Sequence, residues 1–429
     1  MRIVHLTYTL RGGAGTALRR HHLALRDQGI DSQVVVGEPV KGDSPHIHCL
    51  KDLVDVPDAK VRAFEALARR HQKRDGSGDL WASPESFGLK DTDLVRSADI
   101  FEVRQLHAGG HRPFFNFRAL RAIAREKPVI WRLSDMWAFT GYCAYSLECE
   151  RWRDGCGPCP QLTVEPEKAE LRRPDRDNSA IMWEARRKAF KGVPFHMVFP
   201  SEWLLEKARV SLLDQAASFT HIPVGVDLNV FKRSASQANR ARLGIPKQNF
   251  VIAAVLSNAK NHRKAFDLFA AVAGQLRERQ RTSLVIIGNV GDLDGHPDFE
   301  GLQIVSPGFV GEEVEQAAIL STADAFLFPS RCDNSAQVLL ESAASVLPTV
   351  CFDVGGNAEY VKEGETGRVI APFDVVAMSA AIQAYRDDPK LAKAHGKAAR
   401  RFMGENCSVS LQRQRFMQLY EQVLSGAAQ

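Results

Sequence analysis

Short apolar runs that end in a polar or glycine-containing loop recur along the chain, each followed by a segment with helical spacing of apolar residues. Ile3–Tyr8, Ser32–Val36, Asp99–Val103, Pro128–Leu133 and His196–Pro200 form one series. Phe250–Leu256, Ser283–Gly288, Leu302–Val305 and Ala325–Pro329 form a second. Runs of this length suit strands buried on both faces of a parallel sheet. Among the intervening segments, Ser335–Val346 places Val338, Leu339, Ser342 and Val346 at helical spacing, and Leu411–Leu424 predicts a last helix. Ser201 is placed to cap the helix that opens at Glu202. Strand alternating with helix twice over predicts an α/β chain of two doubly wound, Rossmann-like domains, joined through the polar stretch Lys232–Arg242.

Length agrees, because 429 residues exceed one ordinary core and suit two domains of roughly 200 residues each. No run approaches 18 apolar residues, and Arg2–Leu6 begins a strand with no apolar leader and cleavage site behind it, so cytoplasmic residence is expected. A net charge of +5 is too mild to argue for a nucleic-acid partner. Lys60–Arg74 and Met182–Lys191 concentrate basic residues with apolar ones on one side, a composition shared by solvated outer helices and by helices that lie on anionic lipid. Residues 38 to 97 carry little patterning beyond the first of these helices and read as an insertion.

Parallel sheets bind ligands beyond the carboxyl ends of their strands, and helix N-termini favour phosphate, so the strand exits are where chemistry is sought. Arg11-Gly12-Gly13-Ala14-Gly15 leaves the first strand as a turn that lets backbone approach a ligand. It lacks the full Gly-x-Gly-x-x-Gly pattern, and no acidic residue ends the second strand, as a dinucleotide site needs. Arg104–Gly110, with Arg104 and His107, and Ser134-Asp135-Met136-Trp137 are the next exits. In the second series Ser257–Arg263 includes Asn258, and Lys264 is expected to begin a helix. Two cations at a helix start, Arg263 and Lys264, oppose the macrodipole unless an anion is bound. Asp333 and Glu341 stand two helical turns apart and could grip two ends of one extended ligand, since a carboxylate accepts paired hydrogen bonds from a sugar diol. Asp333, Asn334 and Ser335 are equally available as helix caps.

Four of the eight cysteines, Cys143, Cys149, Cys156 and Cys159, fall within 17 residues. Their spacing, with Gly155, Gly157 and Pro158 supplying a tight turn, suits a tetrahedral zinc. Free thiols and redox disulfides are the other readings, and a reducing compartment disfavours the disulfides. A zinc held by four thiolates has no open position, so its role would be structural.

Residues 324 to 367 resemble the donor-binding segment of family 4 retaining glycosyltransferases, which have a GT-B fold. The family's pattern is Pro-Ser, then Glu-x7-Glu, then a Gly-Gly turn, matched by Pro329-Ser330, Asp333 to Glu341 and Gly355-Gly356. Asp333-Asn334 resembles a branch of bacterial polysaccharide enzymes in which an Asp-Asn pair replaces the first Glu. Ser134 to Gly141 resembles the family's His-Asp-Met-Trp-x-Phe-Thr-Gly with Ser134 for the His, and Arg104 stands where a second His is usual. The cysteine cluster after Thr-Gly is shared with that branch, and His221–Asp227 resembles the family's interdomain hinge.

The resemblance implies a retaining transfer of sugar from a nucleotide diphosphate donor to a hydroxyl of a saccharide or lipid-linked acceptor. Surface-polysaccharide or glycolipid synthesis is the implied setting, with peripheral membrane contact. An acceptor-side domain over 1–228 and a donor-binding domain over 229–405 are expected to face a cleft, with 406–429 crossing back onto the first. Implied donor contacts are Gly12, Gly13, Asn258, Asp333, Asn334, Ser335 and Glu341, with Gly308-Phe309-Val310 bordering the nucleobase. The catalytic set is Asp135, Arg263, Lys264 and Asp333, and Arg104, His107 and Ser134 lie on the acceptor side. No catalytic metal is implied. A nucleotide-sugar epimerase or hydrolase of the same fold is the alternative reading, as is a non-catalytic binding relative motivated by Ser134 and Arg104.

Overall fold

The computed structural model describes residues 1–40, 44–108, 113–162, 176–293 and 295–426, which leaves Gly109 and Gly110 of the Arg104–Gly110 loop outside the described residues. Two compact units divide the chain, Met1–Pro223 with Gln412–Gln429, and Val224–Leu411. The junctions were expected after 228 and 405. Val224–Asp227 falls in the second unit because Val226 donates its N–H to Cys407 O at 2.8 Å and accepts from Val409 N at 3.3 Å.

The first unit is built on a seven-stranded sheet of β1 (Arg2–Thr7), β2 (Asp31–Val36), β3 (Ile47–Cys49), β4 (Ile100–Val103), β5 (Val129–Arg132), β6 (Phe195–Phe199) and β7 (Ser218–His221). Its order is β3-β2-β1-β4-β5-β6-β7, with every neighbouring pair parallel. The central strands β4 and β5 are fully buried, and apolar apart from Glu102 and Arg132. The two outermost strands are the ones the apolar pattern does not reveal. β3 lies inside the stretch read as an insertion, and both β3 and β7 are half-buried throughout. Trp131 of β5 meets Phe190 and Phe195 edge-on at 5.2 and 5.5 Å, burial worth roughly 1.5–3 kcal/mol for each large side chain. Ser201 caps the helix Glu202–Arg209 by accepting from Leu204 N.

Helix Val409–Ser425 closes the first unit's core. Phe416, Leu419, Tyr420 and Val423, one helical face, pack with Ile3, Ile100, Ile130 and Val198. A buried polar group runs beneath this face. The Tyr420 hydroxyl donates to Glu102 Oε2 at 2.5 Å and meets His21 Nε2 at 2.9 Å, while Arg104 pairs with Glu102. Arg104 and Arg132 also set their guanidinium groups over the Phe416 ring, at 5.1 and 5.5 Å. Burial alone would push the Glu102 carboxyl up, but the charges of Arg104 and His5 outweigh it and hold the carboxyl well below its ordinary value.

The second unit repeats the design with β8 (Phe250–Asn258), β9 (Thr282–Asn289), β10 (Gln303–Gly308), β11 (Ala325–Phe328), β12 (Thr349–Phe352) and β13 (Gly367–Ile370). Their order is β10-β9-β8-β11-β12-β13, again all parallel. Successive strands step outward from β8 in one direction and then, from β11, in the other. The reversal opens a crevice between the exits of β8 and β11, where open α/β sheets bind their ligands.

Candidate functional site

That crevice gathers most of the donor-side residues picked out in the sequence. Beyond β8, His262–Lys264 form a 3-10 turn, and the helix begins only at Phe266 after Ala265 takes φ 57°. Lys264 was expected to begin that helix. The turn intervenes because its backbone is tied to the loop after β11: Arg263 O accepts from Ser330 Oγ at 3.0 Å and from Arg331 N at 2.9 Å. Arg331 in turn donates to His262 O at 2.9 Å and Asp267 Oδ1 at 2.8 Å. Ser330, matched in the sequence only as part of the Pro-Ser pattern, is a positioning residue, and so is Arg331, which the sequence pattern did not distinguish from an ordinary loop residue.

The stapled loops aim two cations at one carboxylate. Arg263 donates to Asp333 Oδ2 at 2.8 Å and to Cys332 O at 3.0 Å, and Lys264 Nζ reaches the same Oδ2 at 2.6 Å. Asp333 is only 6% exposed, and burial works to raise its pKa. Lys264 and Arg263 outweigh burial and hold the carboxyl below its ordinary value. The Gly355-Gly356 turn fixes the backbone beneath it, since Gly356 N donates to Asp333 O at 2.9 Å. Gly355 has φ +60°, and a Cβ there would stand 1.9 Å from Asp333 O. Gly355→Ala is therefore expected to weaken nucleotide binding at least tenfold by pushing Asp333 away, as read by calorimetric titration; unchanged affinity would count against this seat for Asp333.

Helix Gln337–Ala344 starts at Ala336 with no side-chain cap. None of Asp333, Asn334 and Ser335 takes the capping role, because Asp333 is committed to Arg263 and Lys264 while Ser335 donates to the Tyr360 hydroxyl at 2.9 Å. A helix start with no side-chain cap favours an anion beside it. Glu341 is 5% exposed and accepts from Gln316 Nε2 at 2.6 Å, so Gln316, on helix Glu313–Leu320, orients it. Asn334 is buried, and Asn258 is exposed at the end of β8, where it accepts from Lys260 N at 2.9 Å. Phe309, just beyond β10, is 74% exposed, an aromatic face open to a planar group.

A family model described as glycosyl transferases group 1 matches residues 235–402, almost the whole of this unit. The second unit belongs to that family. Among curated relatives, a lipopolysaccharide core biosynthesis mannosyltransferase of Rhizobium leguminosarum bv. viciae is 27% identical over 290 residues, 59% of this chain and 82% of that protein. Glycogen synthase of Mycobacterium tuberculosis is 36% identical over 138 residues, 31% of this chain and only 33% of that protein. Of solved structures, sucrose-phosphate synthase of Thermosynechococcus elongatus superimposes with a TM-score of 0.68 at 17% identity, over 99% of this chain and 100% of that one. An Anabaena protein solved in complex with UDP-glucose gives 0.65 at 15% identity, over 98% and 99%. The fold is GT-B, and the chain is a glycosyltransferase.

In the first unit of this glycosyltransferase, Gly12 takes φ +70° at the head of helix Gly12–Arg26, and neither Gly12 nor Gly13 would crowd a Cβ. Gly15 is the sterically required glycine, since its Cβ would lie 2.5 Å from Leu10 C. At the β5 exit Asp135 accepts from Trp137 N at 2.9 Å and joins His107 Nε2 at 3.0 Å, and the His107 ring lies 5.2 Å from that of Trp137. Ser134 beside it is half-buried. Arg104 departs from its expected place on the acceptor side: its side chain is buried with Glu102 and Phe416, and it is a core cation. His107 and Asp135 are thus brought together while Arg104 turns elsewhere.

The helix Ser179–Phe190 also differs from a plain outer helix, because Met182, Trp183 and Arg186 are buried. Arg186 stacks 4.0 Å from the Trp137 ring centroid and donates to Thr140 O at 2.7 Å and Gly141 O at 2.5 Å, fixing the Thr-Gly loop. Cys143, Cys149, Cys156 and Cys159 line one small cavity of about 20 Å³, space for a single ion-sized sphere. All four are free of disulfides, although among the described residues no three ligand side chains stand close enough to hold a metal. Cys156 takes φ 58° next to Gly157 and accepts from Gly141 N at 3.1 Å. Burial pushes the Cys156 thiol up to about 11, and burial with the neighbouring Cys156 and Cys159 pushes Cys143 higher still. A cation in that cavity would supply the charge that four thiolates require.

Proposed function

We propose that this glycosyltransferase moves a sugar from a nucleoside diphosphate donor to a hydroxyl of a saccharide or lipid-linked acceptor, with retention of anomeric configuration, in bacterial surface-polysaccharide or glycolipid assembly. The observation that carries the donor assignment is the convergence of Arg263 and Lys264 on one oxygen of buried Asp333, beside an uncapped helix start at a topological switch point. Such a constellation is suited to a diphosphate: two fixed cations and backbone amides offset the negative charge that grows on the leaving group as the glycosidic C–O bond breaks. Glu341, oriented by Gln316, holds the ribose diol, and Phe309 stacks on the base. The departing diphosphate oxygen takes the acceptor's proton on the same face of the sugar, so the protein's part is positioning and charge stabilisation. His107, held by Asp135, orients the acceptor hydroxyl.

Release of nucleoside diphosphate from a panel of sugar nucleotides, with and without acceptor glycans, tests this reading. Acceptor-dependent release with a product of retained configuration by proton NMR is the expected result. Free sugar formed equally well without acceptor would identify a hydrolase instead.

The cysteine cluster is proposed to hold one structural zinc. Protein purified without chelator should carry close to one zinc per chain by elemental analysis, falling to zero in a Cys156→Ser, Cys159→Ser double variant; a metal-free and fully folded wild type would overturn the assignment. Peripheral membrane contact at the cytoplasmic face belongs to the same reading, supported by helix Asp58–Asp75, which buries none of its residues fully. No helix of the described residues is long and apolar enough to cross a membrane.

A further inference from the structure

The amino ends of the second unit's strands, at the opposite edge of the sheet from Arg263, Lys264 and Asp333, enclose a separate basic cavity of about 750 Å³. It is bounded by residues at the starts of β8, β9 and β11, by the end of helix Val375–Asp387 and by the first half of helix Pro389–Asn406. Seven cationic side chains line it against two carboxylates, a local excess of five that equals the formal net charge of the whole chain.

Both carboxylates are already committed. Asp324 takes Arg240 at 2.8 Å and Arg233 at 3.6 Å, and Glu278 takes Arg386 at 2.7 Å. The remaining cations are Lys247, Arg281, Lys393 and Lys397, whose side chains make no ion pair or hydrogen bond among the described residues. Two of them also repel each other. Lys393 and Lys397 stand one turn apart on the same helix, a repulsive spacing for two like charges. Cations gathered at an unfavourable spacing around a concave space, with the local anions used up, mark a place where an external anion completes the charge balance.

We infer that this cavity is a second anion site, for a ligand that carries one or more phosphate groups. Its volume lies within the roughly 300–1,000 Å³ of small-molecule sites, enough for a phosphorylated sugar or a nucleotide. The phosphate of an anionic lipid offers the same chemistry from another source. Four-residue β11 alone spans roughly 13 Å, so a ligand here does not overlap the donor loops and acts alongside the donor rather than against it.

Inorganic pyrophosphate titrated calorimetrically into the Lys264→Ala variant, in which the donor loop has lost one of its two cations, tests the site. Binding should persist in that variant and weaken at least tenfold when Lys247→Ala, Arg281→Ala, Lys393→Ala and Lys397→Ala are added. The four alanines in an otherwise wild-type chain should leave nucleoside diphosphate affinity within twofold. All four positions are exposed, and an unchanged Tm checks the fold; should the quadruple variant fold poorly, Lys393→Gln with Lys397→Gln replaces it and should still weaken pyrophosphate several-fold. Loss of all pyrophosphate binding on Lys264→Ala alone, or binding untouched by the alanines, would overturn the inference. A sugar monophosphate and phosphatidylglycerol vesicles separate the two sources: weakening by the alanines for either one supports the site and names its ligand class, and weakening for neither overturns it. The pyrophosphate comparison holds even if no sugar nucleotide binds the donor loops, so failure of the two assignments is distinguishable.

Discussion

Replacing Lys264 with alanine is expected to lower turnover by about 10²- to 10³-fold, with the second unit's Tm moving by only a few degrees. Lys264 Nζ and Arg263 share Asp333 Oδ2, at 2.6 and 2.8 Å, so the alanine leaves the buried carboxylate paired with Arg263 and the fold keeps its charge balance. The transition state loses one of two fixed positive groups facing the leaving diphosphate, a loss of about 2.7–4 kcal/mol by the measure of a single oxyanion donor. Lys264→Arg should recover only part of it, because a planar fork replaces a point charge. Stability will show the change in acid. Asp333 has a depressed folded pKa, so its contribution is present above the ordinary carboxylate range and is lost as pH falls through the folded value. Without Lys264 that folded value rises, and the acid limb of a stability–pH curve moves to higher pH. Steady-state kinetics with calorimetric melting across pH checks both parts; wild-type turnover at an unchanged Tm would sink the assignment of Lys264.

The largest effect on folding is expected from Glu102→Gln. Glu102 is fully buried, accepts from Tyr420 at 2.5 Å, and is the carboxylate that faces Arg104 in the first unit's core. Glutamine keeps the shape and an acceptor for Tyr420 but leaves the buried guanidinium without its counter-charge, a change worth about 3–5 kcal/mol. The first unit's Tm should fall on the order of 10 °C. Tyr420→Phe removes the hydroxyl's bonds to Glu102 and His21 but leaves Arg104 its counter-charge, and should cost less, about 1–3 kcal/mol. Acid is the weakening direction here as well. The Glu102 pKa is depressed, and burial first, then Arg104, lowers that of His21, so the unfolded chain takes up protons before the folded one. Differential scanning calorimetry of both variants between neutral and mildly acid pH measures this. A Glu102→Gln Tm within two or three degrees of wild type would show that the network carries little of the first unit's stability.

What could be read from the sequence was what local pattern determines. Apolar runs such as Ala325–Phe328 are buried strands, and the turn around Gly355 does require glycine. The edge strands β3 and β7 escaped because a half-buried edge carries no continuous apolar run. Side-chain commitments escaped for a different reason: they are set by partners distant in the chain. Asp333 reads locally as a helix cap, yet two cations 69 and 70 residues away engage it. Arg104 reads as an exit-loop residue, yet the last helix and Glu102 enclose it. Gln316 and Arg186 look like ordinary helix positions until Glu341 and the Thr140-Gly141 loop are placed beside them.

The most direct test of the donor assignment is calorimetric titration of UDP, GDP, ADP and dTDP into the wild-type chain, into Glu341→Ala, and into Glu341→Gln. The account predicts that one nucleotide binds selectively to the wild type, that Glu341→Ala loses at least tenfold in affinity, and that Glu341→Gln, with its fold intact, is also weakened. Equal affinity for that nucleotide in all three proteins, or no nucleotide bound by the wild type, would contradict a donor site at the exits of β8 and β11.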